Sequence, residues 1–186
     1  MRTALLALLV AVGPPGERTY EIEPARSTVR FHVVHKFHRV TGASSTIEGK
    51  AVLSADGWVR TMVRVPVASF DSGERNRDAD MREAVDARGH PFVTFRGVAR
   101  LQPEAFAGTQ AAVAEVRMDG EVELRGVKRP VSVPLLIELS AGAARARGSF
   151  EVSLDAFGVT RPSLLFVKID DACRIDVDLA LREARP

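Results

Sequence analysis

The chain has 186 residues, 46% of them hydrophobic, and its formal net charge is only +2. This length and apolar content suffice for one domain with a complete hydrophobic core. Because basic residues are interleaved with acidic ones along the sequence, we expect no basic patch and no binding to nucleic acid.

The first residues have the composition of a secretory signal peptide. Arg2 precedes a short apolar run, and Pro14 and Pro15 then end any helix. The run is shorter than the ~20 apolar residues that a transmembrane helix needs. We therefore expect residues 1–16 to be a cleaved leader, and residues 17–186 to form the mature domain in the periplasm or outside the cell. The alternative is a disordered or membrane-tethering N-terminus.

Three of the four histidines, His32, His35 and His38, lie close together in the first apolar segment. A helix would place all three along one face, as a metal site requires, whereas a strand separates them. The alternation of apolar residues favours a strand, on which His35 faces inward with Phe31 and Val33 while His32 and His38 face outward. On one continuous strand the two outward histidines would be ~20 Å apart, too far to share a metal ion.

The same pattern recurs along the rest of the chain, with short runs of alternating hydrophobicity that each end in a turn rich in Gly, Asp, Ser or Pro. β-Branched and aromatic residues dominate the inward phase of these runs. The predicted strands cover residues 27–37, 47–57, 58–70, 92–101, 111–126, 129–140, 144–157 and 164–181. About eight such strands predict an all-β domain, either a sandwich or a barrel.

Residues 71–90 interrupt the strand pattern, because half of them are charged and Met81 and Val85 are the only sizeable apolar side chains. Together with Ala84, these two residues follow helical spacing. We therefore expect one short helix with a narrow apolar stripe, laid over an end or a side of the β-structure. The expected N-cap is Asn76 or Asp78, and the expected stop signals are Gly89 and Pro91.

The inward phases of the predicted strands form a long apolar lining. Such a lining either fills a small barrel or surrounds a ligand, and both options fit the periodicity. Cys173 shares the phase of Ile175, so we expect a small buried hydrophobe rather than a nucleophile. The predicted lining and ligand-binding residues are Phe31, Val33, His35, Val63, Val65, Val67, Val93, Phe95, Val122, Leu124, Val133, Leu135, Phe150, Val152, Ile175 and Val177.

Four segments resemble hallmarks of the YceI family, and they occur in the family's order. Residues 75–95 resemble its signature, in which an Arg-Asp pair opens a short helix before a Pro-x-x-x-Phe strand. Residues 120–133 are similar to its second hallmark, a strand, a glycine turn and a proline-containing strand. Residues 29–42 and 150–159 resemble its first strand and its late Phe-Gly element. Together the matches cover nearly all of the mature domain.

The resemblance implies an elongated, lipocalin-like antiparallel β-barrel that encloses a hydrophobic tunnel. It implies that the tunnel binds a polyisoprenoid or another amphiphilic lipid such as a quinone, and that the protein is exported to the periplasm. The resemblance implies that His35 is a polar group in the lumen. Its side chain then forms a hydrogen bond either with a ligand headgroup or with the protein itself.

Arg77 and Asp78 match the Arg-Asp pair of the family. We expect structural ion pairing or helix capping to be their main role, with headgroup contact as the alternative. The chain departs from the family at Asp80, where many relatives have a histidine, and at residues 44–47, where an aromatic residue is missing. These departures concern headgroup contacts and tunnel shape more than the fold.

Enzyme motifs are absent from the sequence, which has no Gly-x-Ser-x-Gly, no His-Glu-x-x-His, no phosphate-binding glycine loop and no cysteine pair. We therefore predict a non-catalytic carrier that needs no cofactor and binds a long-chain lipid such as a polyprenyl phosphate or a quinone. Transient membrane contact is expected, and a homodimer is one option for the oligomeric state. The alternatives are a metal carrier that uses His32, His35, His38 and His90, and a structural or interaction barrel with a filled core.

Overall fold

The computed structural model describes residues 16–35, 38–102, 111–161, 163–164 and 167–184. The predicted leader lies outside the described residues except for Gly16. One α-helix is present in the described part, α1 (Arg75–Ala84). The strands are β1 (Arg18–Ile22), β2 (Thr28–His35), β3 (His38–Ser44), β4 (Glu48–Leu53), β5 (Trp58–Pro66), β6 (Phe92–Arg100), β7 (Ala112–Leu124), β8 (Val127–Ser140), β9 (Ala143–Ser153), β10 (Ser163–Leu164), β11 (Val167–Lys168) and β12 (Ala172–Glu183).

The large sheet closes into an antiparallel barrel of eight strands. β1, β4, β5, β6, β7, β8, β9 and β12 are hydrogen-bonded in this order, and β1 pairs with β12 to complete the ring. The hairpin of β2 and β3 extends the wall, because β2 pairs with an earlier part of β12 than β1 does. Closure leaves no exposed edge in the ring. The predicted all-β barrel with one short helix is therefore confirmed.

The first predicted strand is a hairpin rather than one continuous strand. β2 ends at His35 and β3 begins at His38, and these two residues are paired across the hairpin. Residues that are paired across an antiparallel hairpin share a face, so the inward phase passes from the odd-numbered positions of β2 to the even-numbered positions of β3. The expected ~20 Å separation along one strand is therefore wrong. His38 is also not on the outward phase, because it follows the phase of Val40, which borders the interior.

Two further elements differ from the sequence prediction. β1 was not predicted, because its five residues are too few for a clear alternation pattern. The predicted strand over residues 164–181 covers Leu164 of β10, all of β11 and most of β12, and Asp170 and Asp171 lie between β11 and β12 outside any strand. β10 and β11 form a separate two-stranded sheet.

The helix is confirmed, but both of its predicted ends are wrong. Glu74 is the N-cap, because its carboxylate accepts hydrogen bonds from the backbone N–H groups of Asn76 at 3.0 Å and Arg77 at 2.7 Å. The helix ends at Ala84, several residues before the predicted glycine and proline, and Asp86 then adopts a positive φ of 50°. Glutamate is not among the preferred N-cap residues, which explains why Asn76 and Asp78 were expected instead.

None of the helices in the described part of the chain combines the length and the apolar character that crossing a membrane requires.

Candidate ligand cavity

The barrel encloses a cavity of about 600 Å³. This volume is within the range of ~300–1,000 Å³ that is typical of small-molecule sites. Along β12 the residues that border the cavity extend from Cys173 to Leu181. At ~3.3 Å per residue this stretch is ~26 Å long, so the cavity is elongated along the strands and suits a long, narrow molecule.

The predicted lining residues border this cavity wherever their side chains are described. The side chain of His35 lies outside the described residues. That the others contact a ligand stays a prediction. The bordering residues are Phe31, Val33, Val63, Val65, Val67, Val93, Phe95, Val122, Leu124, Val133, Leu135, Phe150, Val152, Ile175 and Val177.

Inward-facing glycines keep the lumen open, because large side chains lie on them against the wall. The ring of Phe95 covers the paired residues Gly97 and Gly120, where an added Cβ would lie 2.5 Å and 2.9 Å from ring carbons. Phe31 covers Gly42 on the neighbouring strand in the same way. Aromatic rings that cover strand glycines are a known stabilising arrangement. A glycine inside a strand is the sequence signal of such a close approach, and Gly42, Gly97 and Gly120 are absent from the predicted lining.

A cluster of fully buried side chains closes the end of the barrel near the β4–β5 turn. Leu53, Val59 and Leu101 border the cavity there, together with Tyr20 of β1. Burial raises the pKa of the Tyr20 hydroxyl. These residues were missing from the predicted lining, and Tyr20 was missed because β1 was not recognised.

Helix α1 covers the opposite end of the cavity. Its predicted apolar stripe, Met81, Ala84 and Val85, borders the cavity as an extension of the barrel lining. Exposed polar residues at the start of the helix also border the cavity, so the cavity reaches the protein surface here. The polar residues of this rim are Ser72, Glu74, Asn76, Arg77, Asp78 and Asp80.

Ser72 connects the Arg77–Asp78 pair, and it was not singled out from the sequence. The buried Asp78 accepts hydrogen bonds from the N–H of Ser72 at 3.1 Å and from its hydroxyl at 2.5 Å. Arg77 donates from Nε to the Ser72 hydroxyl at 2.8 Å and from Nη2 to the Ser72 carbonyl at 2.7 Å. The pair therefore has a structural role that fixes the chain before α1, through a shared serine rather than a direct ion pair.

Arg161 also borders the cavity, and no sequence pattern predicted it. Its Nε and Nη2 atoms donate to the two carboxylate oxygens of Asp155 at 2.8 Å and 2.6 Å, and Nη1 donates to the carbonyl of Ile169 at 2.5 Å. The hydrogen bonds to Asp155 raise the pKa of the Arg161 guanidinium. Both arginines that border the cavity are therefore engaged by the protein's own acceptors.

The histidines with described side chains form no metal site. The ring nitrogens of His32 lie 2.7 Å from the hydroxyl of Thr41 and 2.8 Å from a carboxylate oxygen of Asp176, on the outward phase that was predicted for this residue. His38 is exposed, and His90 lies 3.8 Å from Asp86. Across the described ranges no three His, Cys, Asp or Glu side chains are grouped as a metal ion requires.

Cys173 is buried, as its phase predicted. Burial raises the pKa of the thiol to about 12, so the sulfur is protonated at neutral pH. A protonated thiol is a poor nucleophile and a poor metal ligand. Cys173 therefore contributes to the cavity as a small apolar side chain.

A closed antiparallel barrel around an elongated apolar cavity is the architecture of barrels that enclose small ligands. Comparison with protein families identifies the particular group. The family described as the YceI-like domain matches residues 20–181, and the chain therefore belongs to the YceI family. No curated protein sequence matches the chain.

Several solved structures share this fold at low sequence identity. A polyisoprenoid-binding domain from Saccharophagus degradans, implicated in plant cell wall breakdown, is 16% identical, with a TM-score of 0.73 over 89% of this chain and 98% of that one. BcnA from Burkholderia cenocepacia is 19% identical, with a TM-score of 0.68 over 86% and 98%. The YceI protein of Campylobacter jejuni is 9% identical, with a TM-score of 0.59 over 100% and 94%. These likenesses support the fold.

Proposed function

We propose that this protein is a carrier that holds a long-chain amphiphile in its barrel cavity. The observation that carries the proposal is the apolar, elongated space of about 600 Å³ that the side chains leave unfilled. Each buried methylene contributes ~0.8 kcal/mol, so ten of them contribute ~8 kcal/mol before the cost of ordering the chain. A net free energy of that size would correspond to a dissociation constant near 1 μM, and the ordering cost makes a tail of only ten methylenes bind more weakly than this. The same open space argues against a structural barrel with a filled core.

The ligand is a polyisoprenoid, an isoprenoid quinone or a similar long-chain lipid. The Saccharophagus degradans relative is described as polyisoprenoid-binding, which supports this class. The tail lies along the apolar strands towards Leu53 and Leu101, and the headgroup lies at the polar rim formed by Ser72 and the first turns of α1. Affinity therefore depends mainly on tail length.

The carrier releases its ligand chemically unchanged. The thiol of Cys173 is protonated, and the guanidinium groups of Arg77 and Arg161 are held by protein acceptors. His32 and Asp176 form a histidine–carboxylate pair, but neither residue borders the cavity. None of these groups offers a nucleophile or a general base to a bound tail.

The carrier acts after export to the periplasm or the outside of the cell, which the leader-like composition of residues 1–16 supports. A fusion of residues 1–20 to a reporter protein is expected to cross the inner membrane and to lose the leader. A reporter that stays in the cytosol with an uncut Met1 would contradict export.

A titration of lipid-free protein tests the carrier proposal. Isoprenoid quinones of increasing tail length are expected to bind progressively more tightly until the tail exceeds the cavity, and to be recovered intact. Affinity that is independent of tail length, or conversion of the quinone into a product, would contradict the proposal. A zinc or copper titration without any gain in thermal stability distinguishes this function from metal carriage.

A further inference from the structure

Three groups on the border of the cavity are of the kind that binds anionic headgroups. They are the N-terminus of α1 and the guanidinium groups of Arg77 and Arg161, the two cations that border the cavity in the described part of the chain. Helix N-termini and arginines bind phosphate through their N–H donors. The availability of these donors therefore decides which headgroup the rim accepts.

Glu74 occupies the N-terminus of α1. Backbone N–H groups at the start of a helix attract anions, because they have no partner within the helix. Here the carboxylate of Glu74 accepts hydrogen bonds from the N–H of Asn76 at 3.0 Å and from that of Arg77 at 2.7 Å. The hydrogen bonds from Arg77 and Asn76 lower the pKa of Glu74, so it is charged at neutral pH. A phosphate would have to displace this carboxylate.

Both guanidinium groups are also held by oxygen atoms of the protein. Arg77 donates to the hydroxyl and to the carbonyl of Ser72. The two carboxylate oxygens of Asp155 accept from Nε and Nη2 of Arg161, which neutralises its charge, and its Nη1 donates to the carbonyl of Ile169. Binding of a phosphate by either arginine would cost these hydrogen bonds.

Carboxylates surround the opening of the cavity. Three of them border it at the start of α1, and two more act on the guanidinium of Arg161 in addition to Asp155. A phosphate that enters here would lie beside like charges, which disfavour its ionised form. The three carboxylates of the rim are Glu74, Asp78 and Asp80, and the other two are Asp170 and Asp171.

Nearby cations that do not border the cavity are not placed to offset these carboxylates. Arg82 of α1 donates to a backbone carbonyl, as do Arg125 and Arg129 on either side of the β7–β8 turn. Arg75 is exposed at the start of α1, where water and salt screen its charge. None of these four arginines borders the cavity.

We propose that the cavity selects amphiphiles with an uncharged headgroup and discriminates against phosphate esters. This inference rests on the carrier proposal and narrows its ligand class to prenyl alcohols and quinones. A phosphate leaves water only where unoccupied donors or cations replace its hydration, whereas the rim presents carboxylates. A hydroxyl or carbonyl headgroup needs only one or two hydrogen bonds. The side-chain amide of Asn76, which borders the cavity, can donate and accept them.

Farnesol and farnesyl phosphate test the selection, because they share one tail and differ only in the headgroup. Titrated into lipid-free protein at low ionic strength, farnesol should bind about tenfold more tightly, since several like charges at roughly 8 Å in water have an effect of this size. The ratio of the two affinities should shrink in ~1 M salt. Equal affinities, or tighter binding of the phosphate, would overturn headgroup selection and leave carriage standing. Binding of neither farnesol nor any quinone would overturn both proposals.

Variants of the rim locate the selection. Glu74→Gln removes the charge but keeps one acceptor for the helix, so the affinity for farnesyl phosphate relative to farnesol should rise roughly threefold. Asp80→Asn removes a rim charge without changing the N-cap and should shift the ratio in the same direction, even if α1 frays in Glu74→Gln. The matched control is Glu83→Gln, an exposed carboxylate of α1 that does not border the cavity, and it should keep the wild-type ratio. An unchanged ratio in both rim variants, or an equal shift in the control, would overturn the proposal.

Discussion

Replacing Val93 with tryptophan tests whether the cavity holds the ligand. Val93 is half-buried on the inward face of β6 and borders the cavity, so the larger ring can enter existing space. The substitution adds roughly seven heavy atoms and displaces about as many methylenes of a bound tail, which at ~0.8 kcal/mol each weakens binding by about 6 kcal/mol. The free energy of unfolding of the lipid-free protein should change by less than ~1 kcal/mol, whereas overpacking a solid core costs ~1–3 kcal/mol.

The assay is a quinone titration combined with urea unfolding of the lipid-free protein. Val98→Trp is the matched control, because Val98 lies on the same strand with its side chain exposed on the outer wall. The control should leave both affinity and stability unchanged. Unaltered affinity in Val93→Trp, or a loss of several kcal/mol in its unfolding free energy, would refute the reasoning. Val65→Trp is a less informative test. Val65 is buried in a cluster with Ile47 and Phe70, so the larger ring would also strain this packing.

Three further predictions concern the residues that hold the rim and the wall. Asp78→Ala should lower the free energy of unfolding, measured by urea unfolding, by ~1–3 kcal/mol, because it leaves the N–H and hydroxyl of Ser72 without their acceptor. The control Asp80→Ala replaces an exposed carboxylate and should have no effect. Hydrogen bonding to Arg145 lowers the pKa of Asp178 from 3.8, so the stability it contributes is complete above pH 3.8 and is lost as pH falls through the lowered value. Asp178→Asn should therefore reduce the acid dependence of urea unfolding below pH 3.8, and an unchanged profile would contradict this assignment. Cys173 should resist alkylation at pH 8 in the native protein and react once it is unfolded, and rapid native labelling would show that its thiol is not buried.

The alternation of apolar residues predicted the cavity wall well, because each strand of a closed barrel has one face towards the apolar interior and one face towards solvent. Val63, Val65, Val67, Val93 and Phe95 border the cavity for this reason. The same rule failed at His38, because this residue lies on β3, where the inward phase differs by one position from the phase of β2. Periodicity along one strand contains no information about a reversal of the chain.

The remaining features of the site depend on side-chain contacts that leave no periodic pattern in the sequence. Ser72 binds both Arg77 and Asp78, and Arg161 reaches the cavity through Asp155, yet neither contact has a sequence signature. The open lumen itself arises where rings such as that of Phe95 lie on glycines of the neighbouring strand. The pairing of the strands, which the alternation along one strand does not reveal, brings these residues together.

Native mass spectrometry of gently purified protein tests lipid carriage most directly. The protein is expected to carry additional mass that organic extraction releases as an amphiphile with a long apolar tail. Val93→Trp purified in the same way should carry less of this ligand, and Val98→Trp should carry as much as the wild type. Protein that is free of extractable lipid in all three preparations, and that binds no added polyisoprenoid or quinone, would contradict the account.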